Sequence, residues 1–309
     1  MAILKSSAKI IVRNSTRYVY SGPVLALGVP EIYATYQELK NWFPAFTQHQ
    51  CPLTSKEVQI TTNEIGRQLD WVTAKTFFKS LGVSDLFTID IPGCEHVPDL
   101  VHDLNNPLPE HYLNRFNLVL DPGTVEHTFD LKTALTNIVR ALMIGGVVIH
   151  QVPVYSYNGG YISINPNLLN DFYSSNGFGD LRTYIIMWDR YRAYTGKHRV
   201  YEYDERTLGQ RHALADYDQC RYSPHMLFFG KKQTEKSSTV VPLQYGGQYV
   251  LGLSGTHGNE DRITYWKWLL RSTLALAYRI LPFAVAFYFE SWARRQKTLR
   301  IARKNSSMQ

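Results

Sequence analysis

Residues 116–153 run FNLVLDPGTVEHTFDLKTALTNIVRALMIGGVVIHQVP, and no other stretch of this 309-residue chain restricts its fold so tightly. Phe116–Asp121 is an almost unbroken apolar run, which is stable only as a strand covered on both faces. Leu131, Ala134, Leu135, Ile138, Ala141 and Leu142 then recur at spacings of three and four, one face of a helix. Asp130 stands where an N-cap belongs, and Gly145–Gly146 is the expected stop. VVIHQVP supplies a second covered strand. A strand, helix and strand in this order is the repeating unit of a parallel, doubly wound α/β sheet with right-handed crossovers.

The flanking sequence extends that pattern. Ser21–Glu31 reads as a short buried strand ending at Gly28, and TYQELKNWF as a helix broken by Pro44. Asp70–Gly82 reads as a helix stopped by its glycine. LFTIDIPG and DLVHDL are strands closed by turn residues, PNLLNDFYSSNGF is a helix, and LRTYIIMW and HMLFFGKK are two late strands. Several of these strands end in polar groups: Gly28 to Glu31, Asp90, Asp103 to Asn105, Asp121, and His150–Gln151. In an open α/β sheet, ligands bind beyond those carboxyl ends. Carboxylates placed there can accept hydrogen bonds from ribose hydroxyls or an adenine amino group.

Other chemistries lack their residues. There is no G-x-x-x-x-G-K-[ST] for a phosphate-binding loop, no G-x-S-x-G elbow, and no G-x-G-x-x-G fingerprint for a nicotinamide dinucleotide. Cys51, Cys94 and Cys220 are scattered and odd in number, and no histidine pair has zinc-ligand spacing, so neither a disulfide framework nor a metal site is expected. The N-terminal residues carry no apolar export segment. These features suit a cytoplasmic protein.

The order of motifs from TIDI to HQVP resembles the class I S-adenosylmethionine-dependent methyltransferases. The closest likeness is to the sugar- and small-molecule-modifying type found among bacterial surface-polysaccharide functions. In that family an acid ends the second strand, here Asp90. An aspartate in a D-x-x-x-x-L-P segment follows the third, here Asp103 with Leu108–Pro109. The fourth strand opens as in Phe116–Val119, and Glu126–His127, the R-x-L-x-x-G-G run Arg140–Gly146 and Pro153 follow. The family's glycine-rich turn is reduced to LALGVPE, with Gly28 alone. The resemblance implies a Rossmann-like domain over residues 1–232 that binds S-adenosylmethionine through Gly28, Asp90, Asp103, Leu104 and Asp121. It implies methyl transfer to a small-molecule or glycan-precursor acceptor. His127 would then be the general base, since imidazole titrates near neutral pH, and Glu126 its partner or a substrate contact. The degenerate glycine turn keeps open a second reading, a non-catalytic scaffold or binding subunit of the same fold.

Charge separates the remaining chain from this domain. Residues 233–261 are rich in Gly, Ser, Thr and Gln and read as a linker. Between Arg262 and Lys304 ten Lys and Arg face one acid, Glu290, so a segment of +9 leaves −2 for the rest of a +7 chain. The body is therefore unsuited to nucleic acid. The tail (residues 262–309) holds Trp266, Trp268 and Trp292 beside its cations, but its apolar run Ile280–Phe289 is too short to span a bilayer. It reads as a helical segment that lies on the inner face of an anionic membrane, docks on the domain or a second copy of the chain, or spans the bilayer only by drawing in Arg279. In liposome flotation, full-length protein should float with anionic but not neutral vesicles, and truncation after Gly258 should abolish this. Flotation that ignores lipid charge or survives truncation would eliminate the tail as an electrostatic anchor.

Overall fold

The computed structural model describes residues 2–43, 53, 56–62, 64–83, 85–93, 97–155, 160–189, 198–203, 222–236 and 239–242. The three cysteines and the basic tail lie outside them, as does most of the expected linker. Contacts divide the chain into one unit of residues 1–205 with 218–244, and another of residues 206–217 with 245–309 that lies outside the described residues.

In chain order the elements are β1 (Ala2–Ile3), α1 (Lys5–Asn14), β2 (Val24–Leu27), β3 (Glu31–Ile32), α2 (Tyr36–Trp42), α3 (Glu64–Gln68), α4 (Ala74–Ser80), β4 (Leu86–Asp90), β5 (Leu100–Val101), β6 (Phe116–Asp121), α5 (Leu131–Ala141), β7 (Leu142–Pro153), α6 (Pro166–Ser175), β8 (Phe178–Asp189), β9 (Arg199–Tyr203) and β10 (Tyr222–Lys232). Eight strands form one sheet in the order β5-β4-β2-β6-β7-β10-β8-β9. The pairs from β5 to β7 are parallel, whereas β10 runs antiparallel to both neighbours and β9 antiparallel to β8. The first five strands thus follow the doubly wound order 3-2-1-4-5. The expected α/β, Rossmann-like sheet with an antiparallel last strand is what the chain forms.

Alternation along the strands builds two cores. Leu118, Leu120, Val147, Ile149, Leu227 and Phe229 point to one face and pack with Ile11 of α1, Leu39 of α2 and Phe77 of α4. Their neighbours Val119, Asp121, Val148, His150 and Phe228 point to the other, under α5 and α6. Helix α5 buries the apolar stripe read from its periodicity, and Asp130 caps it by accepting the Thr133 amide at 3.0 Å.

Three local expectations change. Helix α5 stops at Ala141, so Gly145–Gly146 does not end it. The pair lies inside β7, where the register with β6 shifts, and a Cβ on Gly146 would come within 2.8 Å of the Met143 carbonyl. Helix α4 begins at Ala74, because Thr73 takes the N-cap by accepting the Thr76 amide, while Asp70 turns away at φ +52°. Strand β5 covers only Leu100–Val101, shorter than the DLVHDL stretch implies.

Strand β10 also carries a feature that hydropathy hides. The Lys232 side chain is buried, and its ammonium donates to the carbonyls of Val139 at 2.9 Å and Leu142 at 2.7 Å while pairing with Glu235 at 2.8 Å. A cation there meets the negative end of the α5 dipole and satisfies carbonyls the helix leaves open. Lys232→Met keeps the stem but orphans those carbonyls. Chemical denaturation should register a loss of about 2–4 kcal/mol, and a change below about half a kcal/mol would refute a stabilising role for the buried ammonium.

Candidate functional site

In this sheet the strand order reverses between β2 and β6, so the ligand crevice belongs beyond their carboxyl ends. Gly28 follows β2 at φ +84°, a left-handed conformation that glycine adopts freely, and its amide donates to the Ile89 carbonyl at 2.6 Å. Across the crevice the Thr124 hydroxyl donates to the Leu27 carbonyl at 2.5 Å, tying the two strand ends together. Beyond Gly28 the chain does not enter a helix directly. It forms β3, which pairs parallel with β1.

Helix α2 starts only at Tyr36, and its first turn is already satisfied. The Thr35 hydroxyl accepts the Glu38 amide at 3.2 Å, Glu38 Oε2 accepts the Thr35 amide at 3.0 Å, and Lys5 reaches Glu38 Oε1 at 2.8 Å. This capping box and ion pair put a carboxylate at the start of α2, a position that in other helices can take an anion.

The acids named from sequence fall into different settings. Asp90 ends β4 half-buried; one oxygen accepts the Ile91 amide at 2.8 Å, and beside it the Ile91 side chain is 55% exposed. Asp103 is exposed and curls into an Asx turn, accepting from the Asn105 amide at 2.9 Å and its side chain at 2.7 Å. Those bonds hold its carboxyl below the usual range. Leu104 is buried, and its carbonyl accepts from Asn137 Nδ2 at 3.2 Å. Asn137, on the buried side of α5, also accepts the Leu108 amide at 3.0 Å and so fixes the loop that carries Asp103 and Leu104.

Asp121 is not presented to the crevice, contrary to the expectation of a cofactor contact. It is fully buried: Oδ1 accepts the amides of Gly123 (3.2 Å), Thr124 (2.7 Å) and Val125 (3.3 Å), and Oδ2 lies 2.6 Å from His150 Nδ1. His150 Nε2 lies in turn 2.6 Å from the Tyr173 hydroxyl of α6. Sequence reasoning placed His150 at a strand end but saw neither partnership. The one signal was a histidine inside an apolar run, where burial requires hydrogen bonds at both nitrogens.

The Glu126–His127 pair sits on a single 3-10 turn, Val125–His127, and its members face opposite ways. His127 is exposed. Glu126 is buried at 3% exposure, and its Oε2 has no hydrogen-bond partner among the described residues. Two glycines make room: a Cβ on Gly123 would stand 3.1 Å from Glu126 Oε1, and one on Gly160 would stand 2.2 Å from the Glu126 carbonyl oxygen. The amides of Tyr161 and Ile162 bond that carbonyl at 2.8 and 3.2 Å. Burial first and the Asp121 charge second push the Glu126 carboxyl up to about 8, opposed in part by a hydrogen bond from its own backbone amide and, less, by the chain's α-amino charge.

Two surface hollows of about 560 and 420 Å³ lie elsewhere, along α5 and between α5 and α6. None of Asp90, Asp103, Asp121, Glu126 or His127 lines either one.

No family model and no curated protein matches the chain. Solved structures resemble it at low identity. A SAM-dependent methyltransferase of Archaeoglobus fulgidus is 11% identical with a TM-score of 0.36, over 73% of this chain and 95% of that one. The 1,6-didemethyltoxoflavin N1-methyltransferase of Burkholderia thailandensis, with bound S-adenosylhomocysteine, is 12% identical with a TM-score of 0.31, over 74% and 77%. The phosphoethanolamine N-methyltransferase 2 of Haemonchus contortus is 13% identical with a TM-score of 0.34, over 74% and 52%. Scores at this level carry nothing about chemistry, which has to come from the side chains.

Glu126 makes stability depend on pH in the less common direction. Its folded carboxyl holds a proton up to about pH 8, whereas the unfolded chain releases it near 4.5. The folded state binds more protons between those values, so stability falls as pH rises through that window, by up to about 4 kcal/mol. Glu126→Gln should remove the slope and be the more stable protein at pH 9. Parallel stability curves for the two proteins between pH 5 and 9 would show that Glu126 is not held protonated.

Proposed function

We propose that this protein binds S-adenosylmethionine beyond β2, β4 and β5 and transfers its methyl group to a hydroxyl-bearing small molecule. The observation that carries the reading is the kind of nucleoside the strand ends suit. Asp90 closes the second strand in the sheet order, where a doubly wound fold places its ribose-binding acid. The exposed Ile91 beside it offers an apolar platform for a base. The first turn of α2, by contrast, is filled by its own capping box and the Glu38 carboxylate. Those residues suit a nucleoside without phosphates and disfavour a nicotinamide dinucleotide.

When bound, the cofactor supplies a sulfonium methyl for in-line displacement. The chain's part is binding, orientation and handling of the acceptor's proton. Asp90 would accept ribose hydroxyls, with Gly28 and the Asp103–Leu104 loop flanking it. Glu126, rather than His127, would take the proton that a hydroxyl acceptor loses, because its Oε2 is buried and unpaired. A carboxyl pushed up to about 8 is matched to working pH, and it serves as a base only when ionised. A glycan precursor is one such acceptor, and the basic tail would bring a lipid-linked one within reach. A scaffold without catalysis fits the same fold, with Val29–Pro30 where the family has glycines.

Titration calorimetry with S-adenosylhomocysteine separates these readings. Binding should appear with the native protein and weaken by about 1–3 kcal/mol in Asp90→Ala; absence of heat and of any thermal shift hands the case to the scaffold. With an acceptor in hand, kcat/KM should climb with pH through about 8, and Glu126→Gln should lose about 10²-fold. His127→Ala should keep both rate and melting temperature; if it alone abolishes turnover, the base assignment reverts to His127.

A further inference from the structure

Asp121, His150 and Tyr173 come from β6, β7 and α6, and all three are completely buried. Two contacts of 2.6 Å join them. Burial holds the Tyr173 hydroxyl well above its ordinary value, so it stays protonated and donates to His150 Nε2. His150 Nδ1–H then donates to Asp121 Oδ2. The other oxygen of Asp121 gathers three consecutive amides, those of Gly123, Thr124 and Val125. These amides belong to the turn that ends at Glu126. Gly123 holds φ +100° there, and the turn leaves the Glu126 side chain buried with Oε2 unpaired.

We propose that Asp121 is a positioning residue, clamped by Tyr173 through His150, which sets the 123–125 turn so that Glu126 is held inward with one oxygen free for the acceptor. The role assigned to the acceptor rests on the methyl-transfer reading; the clamp itself does not. Two charges act on Glu126, Asp121 raising its proton affinity and the α-amino group lowering it, while His150 and Tyr173 reach it only through Asp121. The clamp therefore fixes both the direction of the Glu126 side chain and its protonation. A network that merely braced the sheet would not have to govern the second.

The test follows the carboxyl carbon of Glu126 by NMR in full-length protein carrying ¹³C-labelled glutamate, with Glu126→Gln to assign the resonance. Asp121→Asn keeps an oxygen for the amides and lets His150 change tautomer, so chiefly the charge is lost. The Glu126 midpoint should fall by at least one pH unit from about 8. Tyr173→Phe removes a single oxygen and serves even if Asp121→Asn does not fold. It should lower the midpoint and speed hydrogen exchange at Gly123, Thr124 and Val125 at least tenfold. Midpoints within 0.3 pH unit of native in every folded variant would overturn the proposal. Neither readout requires cofactor or turnover, so the clamp can fail while methyl transfer stands, and the reverse.

Discussion

A carboxylate placed where water cannot reach it must find a hydrogen bond for nearly every lone pair, or the protein around it will not close. Asp121 meets that demand with three backbone amides and an imidazole. Much of the molecule is arranged to deliver those four donors. Strand β7 must pair with β6 in the register that sets His150 opposite Asp121. Helix α6 must lie over β10 so that Tyr173 stacks on Phe228 while its hydroxyl meets the imidazole. The turn after β6 must run tightly enough to aim three successive amides at one oxygen, which Gly123 makes cheap. A one-residue slip anywhere in this set would send His150 to the opposite face.

That dependence explains the uneven character of the neighbouring turn. Its amides are spent on Asp121 and its Thr124 hydroxyl on Leu27, so the turn is held at both ends. Glu126, one residue farther on, receives nothing for its second oxygen among the described residues. Proteins tolerate an unpaired buried carboxyl mainly where a ligand completes it. A saturated acid and a starved one thus stand five residues apart on the same turn.

The sequence disclosed whatever depends on periodicity. The stripe from Leu131 to Ala141, the covered run Phe116–Asp121 and the Asp130 cap follow from local spacing, and together they imply the sheet. It was silent on features set by tertiary neighbours. The Gly145–Gly146 pair looks like a helix stop from local rules, yet it serves a strand irregularity that only the β6 register reveals. Glu126 and His127 are adjacent in sequence, and nothing in their spacing says which enters the interior. Asp121 and Asp90 both close apolar runs, but Asp121 ends β6, in mid-sheet between β2 and β7, whereas Asp90 ends β4, one strand from the edge. Lys232 reads as a solvated charge at the end of a strand until α5 is placed against it.

The position of β10 has a consequence for how the molecule can assemble. It lies between β7 and β8 and is made after both, so those strands meet only through it. Until residues 222–232 emerge, β7 is a long apolar edge with unpaired amides, and the carbonyls at the end of α5 lack their lysine. Pairing across such a sequence distance is slow to nucleate, and an exposed edge of that kind invites the wrong partner while it waits. The strand that completes the sheet is therefore also the one that sets when a nascent chain is safe from aggregation.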